Sequence, residues 1–431
     1  MAPTHSLTAS ASASQSLPIP QVSARLLIIF FAAMSPSLGT AISASGRLAL
    51  YLTAIAFVMG NLKGSLTPNK LQPQAWIGII LLTVAYMALS ISWTSAEIAL
   101  SSQSWSRHAR LLTIPIVVML VQTRAELIWA LRIFVIGQLF VVLSSWLLVA
   151  GIYVPWATSG TAVSQYAVFG SYLEQSMTET VLAIILWFMR DFIFGIRYKP
   201  VAIALAMITV VHIYSSLNSR TGFLMCTAFV SYAVFVQLPK KLRLSALFLP
   251  LFVLALAFVT SEKVSVRLTQ AANEVKTFSD KSDKNTSSGQ RLTFWSASLT
   301  ALSEQPLVGF GSGSWNREYR RIESTKLLPG TESVDNPHNL FFLWAVEGGL
   351  IGLGLLCAVF IAIARVARQL QPEWARTLIA ILLALLVASV FTSTIYGIGL
   401  GDFFCVAIGL LLSAAKLSSA PKQQNQGAKN V

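Results

Sequence analysis

Three basic side chains in this sequence could act together on a phosphorylated substrate: Arg220, Arg291 and His338. They occur in the stretches LNSRTG, QRLTFW and NPHNLFF, each beside a predominantly apolar segment. The planar guanidinium of arginine binds phosphate oxygens in pairs, and a neutral imidazole can accept a proton from a hydroxyl group. Singly, each has a plainer interpretation: an arginine at the bilayer edge, a lipid-headgroup contact, and a histidine that ends a helix.

The stretch around His338 reads as the start of a long apolar helix. Asn336 can cap that helix and Pro337 suits its first position, so His338 is predicted in the first turn. The field of a helix start lowers the pKa of an imidazole and favours its neutral form. Below His338 the same helical face carries small residues: Ala345, Gly349 and Gly352. We therefore expect this face to pack against another helix inside the membrane.

The composition places these residues in a membrane protein. Of 431 residues, 55% are hydrophobic and only 11% are charged, and the mean hydropathy is +0.67. We predict an all-α, polytopic fold with about twelve transmembrane helices. The predicted segments are 26–43, 47–60, 75–94, 110–122, 126–153, 172–189, 200–217, 221–238, 244–260, 338–364, 375–395 and 398–415.

The distribution of positive charge predicts the orientation of the chain. With the N-terminus in the cytoplasm, sixteen Lys and Arg residues fall in inward short loops and tails. The outward short loops then hold four: Arg47, Arg107, Arg110 and Arg220. Positive charge accumulates on the cytoplasmic side of membrane proteins, so both termini are predicted to be cytoplasmic. The net charge of +14 is thus explained by topology, and we expect no nucleic-acid partner.

These features divide the chain into five predicted regions. They are a disordered cytoplasmic tail (1–25), nine spans (26–260), a periplasmic loop (261–335), three spans (336–416) and a second cytoplasmic tail (417–431). Within the loop, amphipathic helices are predicted at 262–278 and 290–302, with a mobile polar stretch at 279–289 between them. The second helix would present one apolar face, formed by Leu292, Trp295, Leu299 and Leu302, to the membrane interface.

A third part of the loop carries a cluster of arginines: Arg317, Arg320 and Arg321. Such a cluster is either a solvated helix face or an anion-binding patch.

The motifs around the three basic residues resemble those of the bacterial O-antigen ligase family, within the larger group of O-antigen polymerases and protein O-oligosaccharyltransferases. Residues 338–352 fit the pattern H-[NSQ]-x9-G-x2-[GTY], with His338, Asn339, Gly349 and Gly352 at its fixed positions. The stretches NSRTG and QRLTFW are similar to the two arginine motifs of that family. The large loop before the histidine helix is similar as well.

The resemblance implies a membrane-embedded, metal-independent, inverting glycosyltransferase that needs no cofactor and acts at the periplasmic face of the inner membrane. The donor would be an O-antigen chain on undecaprenyl pyrophosphate, and the acceptor a sugar hydroxyl of lipid A–core. Arg220 and Arg291 would bind the pyrophosphate, and His338 would either accept the hydroxyl's proton or contact phosphate. Asn339, Trp295 and the arginine cluster are further substrate-binding candidates.

Three other functions fit the same sequence. An O-antigen polymerase and a protein O-oligosaccharyltransferase would use the same donor on different acceptors. A transporter of an anionic lipid or solute belongs to another class, and would need ionisable groups near the middle of the membrane. His212 is the main predicted intramembrane titratable group, and a packed core histidine explains it more readily.

Overall fold

The computed structural model describes residues 23–62, 74–279, 285–324, 331 and 334–419. Most of the two predicted cytoplasmic tails lies outside these residues. Within the described ranges the secondary structure is helical, without strands, and comprises seventeen α-helices and short 3-10 turns. The α-helices are α1 (Ala24–Met34), α2 (Thr40–Leu62), α3 (Ala75–Leu89), α4 (Ile98–His108), α5 (Thr113–Leu120), α6 (Arg124–Val149), α7 (Tyr172–Phe188), α8 (Arg190–Ile193), α9 (Lys199–Ser215), α10 (Arg220–Phe235), α11 (Leu249–Thr260), α12 (Glu262–Ser279), α13 (Ser287–Glu304), α14 (Trp315–Ile322), α15 (Leu340–Val366), α16 (Pro372–Phe391) and α17 (Ile398–Ser419).

Each of the twelve predicted segments overlaps a helix, but the predicted number of spans is not confirmed. Among the described residues, seven helices are long and apolar enough to cross a membrane. The number rises to eight if α11 and α12, which meet at a bend of 112°, form one span. α17 is the most enclosed, with 89% of its most apolar stretch buried, and it packs against α2, α5, α6 and α16. The chain therefore has the all-helical fold of a polytopic membrane protein.

The first two helices divide at a different place from the one predicted. The break lies at 38–39, where Gly39 has a φ of +101°, whereas the sequence suggested residues 44–46. Gly46 is instead inside α2, where an added Cβ would lie 2.1 Å from the Oγ of Ser35. Because Gly46 has no side chain, α2 can approach the end of the first helix closely.

Two of the four arginines assigned to outward loops are internal. Arg47 lies in α2 and pairs with the buried Asp402 at 2.6 Å. Arg110 is buried and donates to the carbonyl oxygens of Tyr396 and Gly397 at 2.6 and 2.8 Å. Fewer basic residues therefore lie in the outward loops than the sequence suggested, and the orientation itself stays a prediction.

Helix α13 begins earlier than predicted and buries a different face. Its N-cap is Thr286, whose Oγ1 accepts from the N–H of Gly289 at 3.1 Å. Residues 287–289, predicted to be mobile, are therefore its first turn, while 280–284 lie outside the described residues. The predicted apolar face is not the one buried in the protein: Leu299 is 54% exposed, and the contact of this face with the membrane interface stays a prediction. The buried face consists of Gly289, Thr293, Phe294, Ala297, Ser298 and Ala301.

Phe294 explains this orientation of α13. Its ring meets those of Trp315 and Tyr319 on α14 edge to face, with centroids 5.4 and 5.0 Å apart. Aromatic pairs in this geometry are stabilised beyond the area that they bury. The insert therefore forms its own aromatic cluster between α13 and α14, which fixes the rotation of α13 about its axis.

Helix α15 is not the single continuous helix that was predicted. Gly349 breaks it, with φ +63° and ψ −164°. The loop 306–311 of the insert enters the break, and an added Cβ on Gly349 would lie 2.2 Å from the carbonyl oxygen of Leu307. Four backbone hydrogen bonds of 2.8–3.2 Å join loop and helix: Phe310 N–H to Val346 O, Gly311 N–H to Glu347 O, Leu350 N–H to Pro306 O and Ile351 N–H to Leu307 O. Gly349 therefore admits a loop of the insert at the position where a helix–helix contact was expected.

Candidate functional site

His338 lies just before α15 rather than in its first turn. Its φ of +51° places it in the left-handed region, and its N–H donates to the Oδ1 of Asn336 at 3.0 Å. Asn339 is the true N-cap, since its Oδ1 accepts from the N–H of Phe342 at 3.0 Å. The predicted capping by Asn336 is wrong, because the side chain of Asn336 accepts a hydrogen bond from His338 in the turn before the helix.

Helix α13 contacts the turn formed by residues 336–338, called the histidine turn below. The ring of Phe294 lies against that of His338, with centroids 6.0 Å apart. The indole N–H of Trp295 donates to the carbonyl oxygen of Pro337 at 3.2 Å. Both contacts join the insert to the residues directly before α15. The position of His338 thus depends on the insert as much as on its own helix.

The imidazole of His338 is half-buried and accepts or donates no hydrogen bond within the part of the chain that the structure describes. Burial, with a smaller contribution from the charge of Arg291, lowers its pKa to about 4, and Asp335 opposes the shift. The ring is therefore neutral at neutral pH, as expected from the sequence, although the main cause is burial rather than a helix terminus. A neutral ring with unbonded nitrogens can accept a proton.

Arg291 is a desolvated cation without a carboxylate partner in the described ranges. Its Nη1 donates to the Oγ of Ser287 at 3.2 Å, and its Nε is buried without a hydrogen-bond partner among those residues. Burial lowers its pKa, and so does the neighbouring charge of Arg220. A partly buried cation with an unpaired N–H group is stabilised when an anion pairs with it, so the site favours binding of an anion.

Arg220 lies beside Arg291 but is already paired. It is the first residue of α10, and its two Nη atoms donate to both carboxylate oxygens of Glu274 at 2.8 and 2.9 Å. Its Nε donates to the carbonyl oxygen of Arg267 at 3.0 Å, and Nη1 also donates to the Oγ of Ser288 at 3.0 Å. The Arg220 and Glu274 side chains are 13% and 7% exposed. Arg220 therefore cannot grip a second anion through both Nη atoms while Glu274 remains in place.

The structure brings the three predicted residues together along α13. Arg220 contacts Ser288, Arg291 contacts Ser287, and His338 contacts Phe294 two turns further on. Their charges act on each other, since Arg220 lowers the pKa of Arg291 and Arg291 lowers that of His338. Two guanidinium groups and a neutral imidazole that all lie beside α13 could bind a diphosphate and accept a proton.

Two further substrate-binding candidates have structural partners. The Nδ2 of Asn339 donates to the carbonyl oxygen of Val390 at 2.9 Å, so both ends of its amide are occupied. Trp295 packs its ring against Phe342 and Phe391, with centroids 5.9 and 6.2 Å away. These contacts connect α13 to the start of α15 and the end of α16.

The three arginines of the cluster on α14 differ from one another. Arg321 donates to Glu318 at 2.7 Å and also contacts Glu304. Arg317 and Arg320 are exposed and have no ion pair with any described residue. The free positive charge of this patch is therefore carried by Arg317 and Arg320.

Sequence reasoning missed a buried polar network at the break in α15. The Oε2 of Glu347 lies 2.7 Å from the Nε2 of His108 and accepts from the Oγ of Ser104 at 2.9 Å. His108 and Glu347 are 1% and 0% exposed, and α4, which carries His108, was not predicted. The available signal was a lone carboxylate in the apolar run LFFLWAVEGGL, since an ionisable residue at such a place requires a partner. The network joins α4 to the half of α15 nearest to His338.

His212 is the packed core histidine that the sequence allowed. It is fully buried, with its Nδ1 2.8 Å from Glu179 and its Nε2 3.1 Å from the Oγ of Ser145.

Within the described ranges, no three or more His, Cys, Asp and Glu side chains are grouped so that they could hold a metal ion. Metal independence stays a prediction for experiment.

Comparison with known proteins places these residues in a family context. Residues 202–357 match the family model described as O-antigen ligase (Wzy_C). A protein of Haemophilus influenzae described as uncharacterized is 27% identical over 108 residues, which cover 24% of this chain and 27% of that protein. The alignment thus spans about a quarter of that relative's length. The family match, which contains Arg220, Arg291, His338 and all of α13, supports the chain as a member of the O-antigen ligase family.

Proposed function

We propose that this protein is an O-antigen ligase, which transfers an O-antigen chain from undecaprenyl pyrophosphate to a sugar hydroxyl of lipid A–core. The family match supports an O-antigen ligase or polymerase type of membrane enzyme, and the ligase reaction is the finer proposal. The reaction would take place at the periplasmic face of the inner membrane. The bias of positive charge toward the opposite side supports this orientation.

The observation that carries the proposal is that Arg291 and His338 lie along the same helix, α13, close enough for the charge of Arg291 to lower the pKa of His338. Arg291 is a desolvated guanidinium that lacks a carboxylate partner among the described residues, and the adjacent His338 is neutral with an unbonded ring. A leaving diphosphate needs a positive charge that is already in place, and an attacking hydroxyl needs a proton acceptor. Arg291 would supply the positive charge and His338 the proton acceptor, both beside α13.

In the proposed reaction, an oxygen of the acceptor sugar attacks the anomeric carbon of the donor sugar from the face opposite the diphosphate. The bond between that carbon and the phosphate oxygen breaks, and the new glycosidic bond forms with inversion. His338 takes the proton of the attacking hydroxyl, and the electron pair of the broken bond leaves on the diphosphate. Arg291 and Arg220 stabilise the negative charge that develops there. In an alternative assignment, His338 donates a hydrogen bond to phosphate and positions it.

The test is the lipopolysaccharide profile of a strain in which the gene is deleted. A ligase predicts that long O-antigen chains accumulate on the lipid carrier and that the ladder on lipid A–core disappears. Single repeat units on the core would instead identify a polymerase, and lost glycosylation of periplasmic proteins would identify a protein O-oligosaccharyltransferase. Normal ladders in the deletion strain would contradict all three glycan-transfer functions.

A further inference from the structure

The carboxylate of Glu274 is bound in the way that proteins bind a phosphate group. Its Oε2 accepts from the N–H of Ser288 at 3.1 Å, the Oγ of Ser288 at 2.6 Å and Nη1 of Arg220 at 2.8 Å. Its Oε1 accepts from Nη2 of Arg220 at 2.9 Å. An arginine fork, a hydroxyl and an N–H group in the first turn of a helix are the donors that commonly hold phosphate.

This position adjoins the unpaired guanidinium of Arg291. Arg220 and Arg291 contact the consecutive residues Ser288 and Ser287. Glu274 neutralises Arg220, whereas Arg291 has no carboxylate partner in the described ranges. Of these two neighbouring cations, therefore, only Arg220 is paired with an internal anion. A diphosphate carries two adjacent anionic groups and would match both cations if it replaced the carboxylate.

We propose that Arg220, Ser288 and the first turn of α13 form the subsite for one phosphate of the lipid-diphosphate donor, and that Glu274 occupies this subsite until the donor displaces it. The inference rests on the proposed function and adds two residues to it: Ser288 as a phosphate ligand and Glu274 as a competing internal anion. Arg291 then takes the second phosphate. Glu274 keeps Arg220 oriented while no donor is bound.

The exchange does not require protonation of Glu274. The hydrogen bonds from Arg220, with smaller help from Ser288, hold the pKa of Glu274 at about 2 against the opposing effect of burial. Glu274 is therefore ionised throughout the physiological pH range and competes with the donor at every such pH. Displacement has to come from the greater charge of the diphosphate, and it frees the face of α12 that carries Glu274.

The experiment compares Glu274→Gln with Glu262→Gln, a matched change of charge at an exposed position on the same helix. Purified protein is titrated with undecaprenyl-pyrophosphate-linked O-antigen at saturating lipid A–core. Because a neutral amide competes less well than a carboxylate, the donor KM of Glu274→Gln should fall roughly fivefold or more without a loss of kcat. Glu262→Gln should keep the wild-type KM. A fall of kcat to the level of Arg220→Ala, with no decrease in KM, would overturn the proposal and make Glu274 a permanent partner of Arg220.

A second measurement uses the unaltered protein and so does not depend on whether the variant folds. Hydrogen exchange in residues 262–279 is followed with and without the donor, in the absence of acceptor. Displacement of Glu274 predicts faster exchange in α12 when donor is bound. Unchanged or slower exchange with bound donor would overturn the proposal. Wild-type protein that neither binds nor transfers the donor contradicts the proposed function itself, which separates that failure from a failure of the Glu274 inference.

Discussion

His338 and Phe294 lie ring against ring, with centroids 6.0 Å apart, and Phe294 follows Arg291 by three residues on α13. One helix of the insert therefore sets the position of the histidine and carries one of the two arginines. Movement of α13 would displace the proposed proton acceptor and a proposed phosphate ligand together. The insert is thus a part of the candidate site.

The first prediction concerns the pH dependence of transfer. Burial and Arg291 hold the pKa of His338 at about 4, and the neutral, proton-accepting form exists above that value. The kcat/KM of the wild type should therefore stay constant as the pH falls through about 6.5, the ordinary histidine pKa, and decline only near pH 4.

Arg291→Lys serves as the control for this profile, because it keeps the positive charge. This variant should lower kcat/KM and leave the pH at which kcat/KM declines in acid unchanged. An acid limb near pH 6.5 in the wild type would contradict a buried His338 as the proton acceptor.

The second prediction concerns the hydrogen bond from Trp295 to Pro337. Trp295→Phe removes the N–H donor and keeps an aromatic ring against Phe342 and Phe391. The histidine turn then loses one of its two ties to α13, so kcat should fall by up to about tenfold while the protein still folds.

Trp156→Phe is the matched control, since it removes the 2.9 Å hydrogen bond from Trp156 to Ser144 outside the candidate site. It should leave kcat unchanged. Equal effects of the two variants on kcat would show that the tie to Pro337 has no specific role.

The sequence predicted the segments of this fold well because apolar runs of about twenty residues are a strong local signal. It also singled out Arg220, Arg291 and His338, which the structure places along α13 and whose roles stay predictions. It did not predict the Arg220–Glu274 pair, because 54 residues separate the partners and the pairing depends on the bend of α12 away from α11. The buried Glu347–His108 pair, 239 residues apart, was missed for the same reason.

The start of α15 shows how local rules can compete. Asn336 and Asn339 are both of a residue type that caps helices, but only Asn339 caps α15. Asn336 forms a turn with the N–H of His338, and Asn339 caps the helix. Gly349 was read as part of a small-residue face because helical periodicity does not reveal a loop that enters from a distant part of the chain. Only the three-dimensional contact with Leu307 distinguishes these two uses of glycine.

The third prediction concerns the break in α15. Gly349→Ala would place a Cβ 2.2 Å from the carbonyl oxygen of Leu307, at a φ of +63° that alanine rarely adopts. We expect a loss of about 1–3 kcal/mol of stability, measured as a lower midpoint of thermal unfolding in detergent.

Gly354→Ala lies on the same helix with nothing within 4 Å of the added Cβ, and provides the control. Its unfolding midpoint should be unchanged or higher, because alanine favours a helix. Equal losses from the two variants would contradict the close approach of loop 306–311 to Gly349.

The fourth prediction concerns the exposed patch on α14. Arg317→Ala and Arg320→Ala should each raise the KM for a phosphorylated lipid A–core acceptor and leave the donor KM unchanged, because these two arginines lack ion-pair partners among the described residues. The effect should weaken at high salt, as expected for exposed charges. Arg321→Ala is the control, since Glu318 and Glu304 already neutralise that side chain. An acceptor KM that only Arg321→Ala changes would contradict acceptor binding by Arg317 and Arg320.

The central claim is that His338, Arg291 and Arg220 form one centre that transfers a glycan without a metal ion. The most direct measurement is transfer by purified protein in detergent, with lipid-linked O-antigen and lipid A–core as the substrates and EDTA present. We expect turnover by the wild type and near-complete loss of turnover in His338→Ala, Arg291→Ala and Arg220→Ala, each checked for intact folding. Turnover at the wild-type rate by a folded His338→Ala variant, or a strict need for magnesium, would contradict it.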